Sequence, residues 1–457
     1  IMELYIIGVV AVVALASIMT WHRTISKSSL PLNWPVVGML PSVLWNIANV
    51  YDYGTKIVID NGGTLKFSGP WMAKDFFEVV TSTPANLEHI LKNDFPNFPR
   101  GPYFKAVFFD IFGDGLFTAD HELWRRQRKA VGIALSSSSF RDRNLNLGCL
   151  SPGPLPHVPF AMAFNEAIAA CTYRLIFPPF IWKSMRFLNV GFERKFRRAQ
   201  AILSDFASDM VNCRIEELKK GGERQGDILS CFIKLEKEEG RSPSEKIAAD
   251  TTAVSLCWFF WLISMHPDVE QKIVSEITQI LKSKNLKNRN NSSDKLGLFG
   301  VEELRSMNYL QAALSETLRL YPAVPISYRQ AIEDSILPDG THVKKDSKLL
   351  YFIYATNRME SLWGKDALEF RPERWINKEG ACMKEWDYKY PVFNAGPRLC
   401  LGRDIAYVNM KFMVANILVR YKVKIDPGHK VSPKFGLTLF MKQGLKVALH
   451  SREDIVL

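Results

Sequence analysis

Phe393-Asn-Ala-Gly-Pro-Arg-Leu-Cys-Leu-Gly402 is the stretch from which the rest of the chain can be read. One cysteine, Cys400, stands between Gly396 and Gly402, with Arg398 two residues before it. An apolar, helix-compatible run follows: Ala406, Tyr407, Met410, Phe412, Met413, Ile417 and Leu418. Cys400 therefore lies where a loop punctuated by glycine and proline enters a helix. The amino end of a helix carries positive partial charge and unpaired N–H groups, and both favour a thiolate. Glycines let the backbone approach a flat ligand closely. An isolated cysteine is usually a small buried core residue. A thiolate presented in this way can instead serve as the axial ligand of haem iron.

The complete pattern Phe-x-x-Gly-x-Arg-x-Cys-x-Gly resembles the haem-binding loop of the cytochrome P450 monooxygenases. Residues 341–375, THVKKDSKLLYFIYATNRMESLWGKDALEFRPERW, resemble the plant clan of fatty-acid omega-hydroxylases and mid-chain alkane hydroxylases. The resemblance covers nearly the whole chain. It implies a mainly α fold with a small β region, the cytochrome P450 fold. It also implies haem b as cofactor, with Cys400 on the iron and Phe393 and Gly402 beside it.

Other stretches bear on that expectation. In Glu122-Leu-Trp-Arg-Arg-Gln-Arg-Lys129, Trp124 and Arg128 share one helix face at i,i+4. Indole N–H and guanidinium both donate to anions. By itself the run reads better as a solvated basic helix. The resemblance makes Trp124, Arg128, Arg329 and Arg398 the holders of the haem propionates. Glu316 and Arg319 lie at i,i+3 in an amphipathic helix expected over 301–321, marked by Leu304, Met307, Leu310, Leu314 and Leu318. Exposed, such a pair contributes little; buried, it needs more hydrogen-bond partners. The resemblance supplies one from Phe370-Arg-Pro-Glu-Arg-Trp375, so that Glu316, Arg319 and Arg374 form a structural triad. Ala248-Ala-Asp-Thr-Thr252 opens an apolar helical run. An acid beside an alcohol can relay protons, and Asp-Thr is also an ordinary helix-capping pair. By resemblance Asp250 and Thr251 are the catalytic relay.

Two departures stand out. Residues 144–159, NLNLGCLSPGPLPHVP, carry turn chemistry where the resembling family has a long core helix. The apolar helix before Asp250 is shortened to Glu245-Lys-Ile-Ala, and Ala248 replaces a usual glycine. Both read as internal deletions, near 144–150 and 246–250. They keep open two alternatives: a degenerate haem-binding protein, or a non-folding product of an incomplete gene model.

Composition sets the bounds. The 457 residues suffice for one large domain, 47% of them are hydrophobic, and the net charge is +12. A basic balance suits an acidic partner or an anionic membrane surface. No basic tail, zinc-ligand spacing or RNA-binding signature points to nucleic acid. Seven scattered cysteines without a C-x-x-C pair argue for a reducing compartment. Residues 1–20, IMELYIIGVVAVVALASIMT, have the length and apolarity of a bilayer span, followed by Trp21, His22, Arg23 and Lys27. The expected organisation is an anchor over 1–21, a proline-rich linker over 22–44 and a haem-thiolate domain over 45–457. Phe104, Phe108, Phe109, Phe112 and Phe117 could wall an apolar substrate pocket or fill ordinary core. Thr64–Ser68 and Phe76–Thr81 are strand candidates. The resemblance implies insertion of one oxygen atom of O2 into a C–H bond of a long-chain fatty acid or alkane. It implies electrons from NADPH through NADPH–cytochrome P450 reductase, and the expected anchor places the catalytic domain on the cytosolic side of the endoplasmic reticulum membrane.

Overall fold

The chain was analysed as a computed structural model, which describes residues 30–34, 37–69, 78–136, 159–219, 248–287 and 299–452. The first helices are α1 (Leu40–Trp45), α2 (Val50–Asp60), α3 (Pro84–Glu88), α4 (Gly101–Phe112) and α5 (His121–Ser136). Then come α6 (Pro159–Ile176), α7 (Pro179–Leu188), α8 (Gly191–Lys219), α9 (Ala248–Met265) and α10 (Pro267–Lys287). The rest are α11 (Val301–Ser306), α12 (Asn308–Leu320), α13 (Ile353–Thr356), α14 (Glu360–Trp363) and α15 (Arg403–Leu418).

The strands are β1 (Thr64–Lys66), β2 (Val79–Thr81), β3 (Ser327–Gln330), β4 (Ser335–Ile336), β5 (His342–Val343), β6 (Lys348–Tyr351), β7 (Tyr421–Ile425) and β8 (Val447–Ser451). Four of them form one sheet in the order β1-β2-β6-β3. There β2 runs parallel to β6, and β3 pairs antiparallel with it, setting Arg329 opposite Leu349. The others form the two-stranded sheets β4-β5 and β7-β8. The mainly helical fold with a small β region matches the expectation, and β1 and β2 fall inside the two strand candidates.

The largest core joins α9, α10, α12, α15 and β7. Phe259, Ile273, Ile277, Leu310, Leu314, Met410, Val414, Leu418 and Val423 meet in it. Each fully buried Leu, Ile or Phe there is stabilised by about 1.5–3 kcal/mol relative to exposure. This packing seats α15, the helix that follows the cysteine loop, against α9 and α12. Because α9 is covered on several sides, it has no polar stripe: Val254, Trp258, Phe259, Leu262 and Ile263 are all buried.

The amphipathic helix expected over 301–321 is two helices. Met307 leaves the helical region (φ −75°, ψ 85°), and α12 starts anew at Asn308. The cause is distant in sequence. The Glu276 carboxylate on α10 accepts the N–H groups of Tyr309 and Leu310 at 2.8 and 2.9 Å, capping the new helix. Phenylalanines of 104–117 also divide. Phe104, Phe108 and Phe112 are buried in a core with α6 and α8, whereas Phe109 and Phe117 are exposed.

Among the described residues no helix is long and apolar enough to cross a membrane. The anchor expected over 1–21 and the shortened segment at 144–150 lie outside those residues. Of the segment expected as a linker, residues 30–34 and 37–44 are described, and its end packs onto the domain. Met39 and Leu40 are buried, and the Met39 N–H donates to the Ser68 carbonyl at 2.7 Å.

Candidate functional site

The cysteine loop is held by its own backbone. Gly396 sits at φ +62°, and a Cβ there would collide with the Leu91 carbonyl oxygen. Asn394, at φ +64°, is held by its own Oδ1, which accepts the Ala395 N–H at 2.9 Å and the Tyr351 hydroxyl at 3.1 Å. A 3-10 turn at Gly396–Arg398 brings the Cys400 N–H onto the Phe393 carbonyl at 2.8 Å. Gly402 is the N-cap of α15, so Cys400 lies just before the first turn of that helix. Phe393 packs tilted against Tyr407, with ring centroids 5.4 Å apart.

Cys400 has an accessible surface, yet protein surrounds it closely enough that burial raises its thiol pKa. The Gly402 and Arg403 N–H groups and the Arg128 and Arg403 charges oppose the rise without cancelling it. The helix end alone therefore does not yield a stable thiolate, contrary to the simplest sequence argument.

Trp124 and Arg128 do lie on the loop-facing side of α5. Arg128 Nη2 donates to the Leu399 carbonyl at 2.6 Å. The Trp124 ring is buried beneath two guanidiniums, with Arg398 at 4.5 Å and Arg128 at 5.7 Å from its centroid. Arg329 on β3 is completely buried, and its Nη1 donates to the Tyr328 carbonyl at 2.8 Å.

A further cation, Arg100, was not singled out from the sequence. It stands before α4 and donates from Nη1 to Ser327 Oγ at 3.1 Å and to the Tyr328 carbonyl at 3.3 Å. Arg100, Arg329 and Arg398 repel one another. Burial first, then Arg329, pushes Arg100 down to about 10. Burial, then Arg329 and Arg100, pushes Arg398 down to about 9. Burial alone would raise the Tyr351 phenol beside them, but Arg329 and Arg100 outweigh it and lower its pKa.

Asp120 is the carboxylate that serves this group. It accepts the Arg100 and Gly101 N–H groups at 2.9 and 2.8 Å and pairs with Arg398 at 2.5 Å. That leaves donors over: Arg100 Nε, Arg329 Nε and Nη2, and Arg398 Nε are buried and have no hydrogen-bond partner among the described residues. Buried donors are normally satisfied. Four orphaned guanidinium N–H sites beside a cysteine loop are the donor set that two carboxylates would complete. The residues present therefore fit a haem with its two propionates.

Glu316, Arg319 and Arg374 lie together. Arg319 and Glu316 are both wholly buried and bidentate, at 2.8 and 2.9 Å, and Arg374 Nε reaches Glu316 at 3.3 Å. Remaining capacity is used: Arg319 donates to the Asn357, Ala367 and Glu369 carbonyls, and Glu316 accepts from Trp375 Nε1 at 2.8 Å and Arg371 N–H at 3.1 Å. Trp375 then packs on Tyr390 at 4.7 Å, whose hydroxyl donates to the Ser315 carbonyl at 2.8 Å. This network braces the segment leading into Phe393.

Asp250 and Thr251 occupy the first turn of α9. Thr251 is half-buried, and its carbonyl accepts the Ser255 hydroxyl at 2.8 Å. The Asp250 side chain lies outside the described residues. Arg125, Arg126 and Lys129 are exposed on the outer side of α5.

A family model described as Cytochrome P450 matches residues 160–449. The chain is 41% identical to Cytochrome P450 86B1 of Arabidopsis thaliana over 479 residues, covering 92% of this chain and 85% of that protein. It is 32% identical to Alkane hydroxylase MAH1 of the same plant, over 92% of this chain and 93% of that protein. Noroxomaritidine synthase 1 of Narcissus pseudonarcissus is also 32% identical, over 97% of this chain and 95% of that protein.

Proposed function

The chain belongs to the cytochrome P450 family and is a cytochrome P450 monooxygenase; on that premise we propose that it hydroxylates a long-chain fatty acid or alkane at an unactivated carbon. The substrate class is supported by the similarity to a relative named as an alkane hydroxylase and by the motif run over 341–375. The observation that carries the site assignment is the set of orphaned buried donors on Arg100, Arg329 and Arg398 beside Cys400. Bound there, haem b would supply O2 activation and transfer of one oxygen atom, with electrons from NADPH through NADPH–cytochrome P450 reductase.

The chain's own residues would do the following. Cys400 would hold the iron through its sulfur; coordination to a metal deprotonates a thiol outright, which would overcome its raised pKa. The Gly402 and Arg403 N–H groups would then stabilise the sulfur charge. Arg100, Arg329 and Arg398, with Trp124 and Arg128, would hold the propionates and relieve their own mutual repulsion. Phe393, resting on Tyr407, would shield the sulfur from water, and Gly402 would leave it room. Glu316, Arg319 and Arg374 would keep the loop in register. Thr251 would hold and pass a proton that Asp250 draws from solvent. An anchor over 1–21 would place the chain in the endoplasmic reticulum membrane as a single-pass protein, with residues 45–457 forming the cytosolic domain.

Arg329→Met tests the donor set. The variant removes a buried charge with unpaired donors, so stability of the haem-free protein holds or rises. Haem affinity falls about ten-fold or more, because charge-assisted hydrogen bonds to a propionate are lost. Haem titration and urea unfolding of the haem-free protein measure the two. Unchanged haem affinity removes Arg329 from the site. Turnover of long-chain acids and alkanes with reductase and NADPH tests the substrate class, and no product from either rejects it.

A further inference from the structure

Away from the cysteine site, α9, the end of α12, the segment after β6, Asp52 of α2, Val431 and Pro433 line an open-mouthed cavity of about 270 Å³. That is below the roughly 300–1,000 Å³ of sites for drug-sized ligands and suits a smaller one. Its walls are aromatic. Trp258 and Tyr321 stack with centroids 4.1 Å apart and planes 7° apart, and Trp261 meets both edge-on at 5.6 and 5.4 Å. Trp258 lies two turns after Thr251 on α9. None of the lining residues belongs to the cysteine site.

The cavity holds one deeply placed charge. Arg358 is only 7% exposed. Its guanidinium lies over the Tyr354 ring at 3.4 Å and 5.5 Å from the Tyr321 ring. Nη1 donates to the Tyr354 carbonyl at 3.2 Å. Among the described residues this guanidinium has no second hydrogen bond and no carboxylate within ion-pair distance. Asp52, also lining the cavity, is exposed and already accepts the Tyr354 hydroxyl at 2.9 Å.

A buried cation with one neutral partner favours an anion, and a guanidinium favours a carboxylate, which it can bind through two parallel N–H bonds. Aromatic walls favour a flat body. We propose that this cavity is a second binding site, for a small planar carboxylate whose anionic end meets Arg358 and whose ring lies against Trp261 and Tyr321. The site is independent of the substrate class proposed above. Asp52 tunes it from the rim by repelling the ligand.

The test is calorimetric titration of the full chain, as purified with its haem, using trans-cinnamate as probe and a saturating azole to fill the haem pocket. Cinnamyl alcohol and cinnamylamine serve as the neutral and cationic counterparts. One saturable site for the acid is expected, with the alcohol at least about ten-fold weaker for want of the charge-assisted bonds. Asp52→Asn, at an exposed position, tightens the acid about three-fold or more by removing a like charge. Leu368→Trp, at a 70%-exposed lining position, weakens it by filling the mouth. The proposal is overturned if the acid shows no saturable binding, if the alcohol or amine binds as tightly, or if neither variant changes the affinity. Because the haem pocket is blocked throughout, none of these outcomes bears on Cys400.

Discussion

Gly396 shows how much one residue can decide. Its φ of +62° is costly for any residue with a side chain, and an added Cβ meets a backbone carbonyl, that of Leu91, which cannot rotate away. Gly396→Ala therefore lowers stability by about 2 kcal/mol or more and reduces haem content, read by urea unfolding and by pigment per chain. A variant with wild-type stability and haem content would contradict this view of the loop. The cysteine loop was legible from the sequence because its residue types are unusual and close together. Arg100 and Asp120 were not. Arg100 sits in an ordinary Pro-Arg-Gly-Pro turn, and nothing local says that its guanidinium shares a buried site with residues 229 and 298 positions away. Asp120 is equally plain in sequence, yet it ties the start of α4 to the cysteine loop.

Helices carry the next level of the argument. One side of α5 places Trp124 and Arg128 under the cysteine loop, and the other presents Arg125, Arg126 and Lys129 to solvent. Replacing Arg125 and Arg126 together with Glu is predicted to slow reduction by the reductase several-fold at low ionic strength, with haem content unchanged. Stopped-flow reduction measures it, and equal rates would dismiss this surface as the docking face. α15 carries a second, pH-dependent feature. Lys411 is buried on it, donating to the Leu304 carbonyl at 3.0 Å, and burial, only partly offset by Glu276, pushes its pKa down to about 8. Its native pKa is below the unfolded value of about 10.4. The folded chain therefore binds fewer protons between those limits. This group's contribution to stability rises with pH from about 8 to about 10.4, on the order of 3 kcal/mol in all. Lys411→Met flattens that rise in urea midpoints taken across the window; an unaltered slope would show that Lys411 is not its source. The break at Met307 belongs to this scale too. Leu304 to Leu318 reads as one helical stripe, and only the Glu276 carboxylate, some thirty residues earlier, reveals two helices.

At the scale of the whole molecule, fold class was legible because the apolar periodicity of α12, the apolar run of α15 and the short strand-like runs on either side of Gly69-Pro70 are local signals. Assembly was not. The phenylalanine-rich stretch could be pocket wall or core by sequence alone. It became mainly core because α6 and α8 cover Phe104, Phe108 and Phe112. Buried excess charge around Arg100, Arg329 and Arg398 emerged only when β3, the start of α4 and the cysteine loop were brought together, and it is the property most in need of a bound group. The central claim is that this assembled site holds haem through the Cys400 sulfur. The most direct test is the difference spectrum of the reduced, carbon-monoxide-treated protein, compared with that of Cys400→Ala. The account predicts a red-shifted Soret band of the thiolate type in the wild type and its loss in the variant. A folded wild type without that band, or a variant that retains it, would contradict the claim.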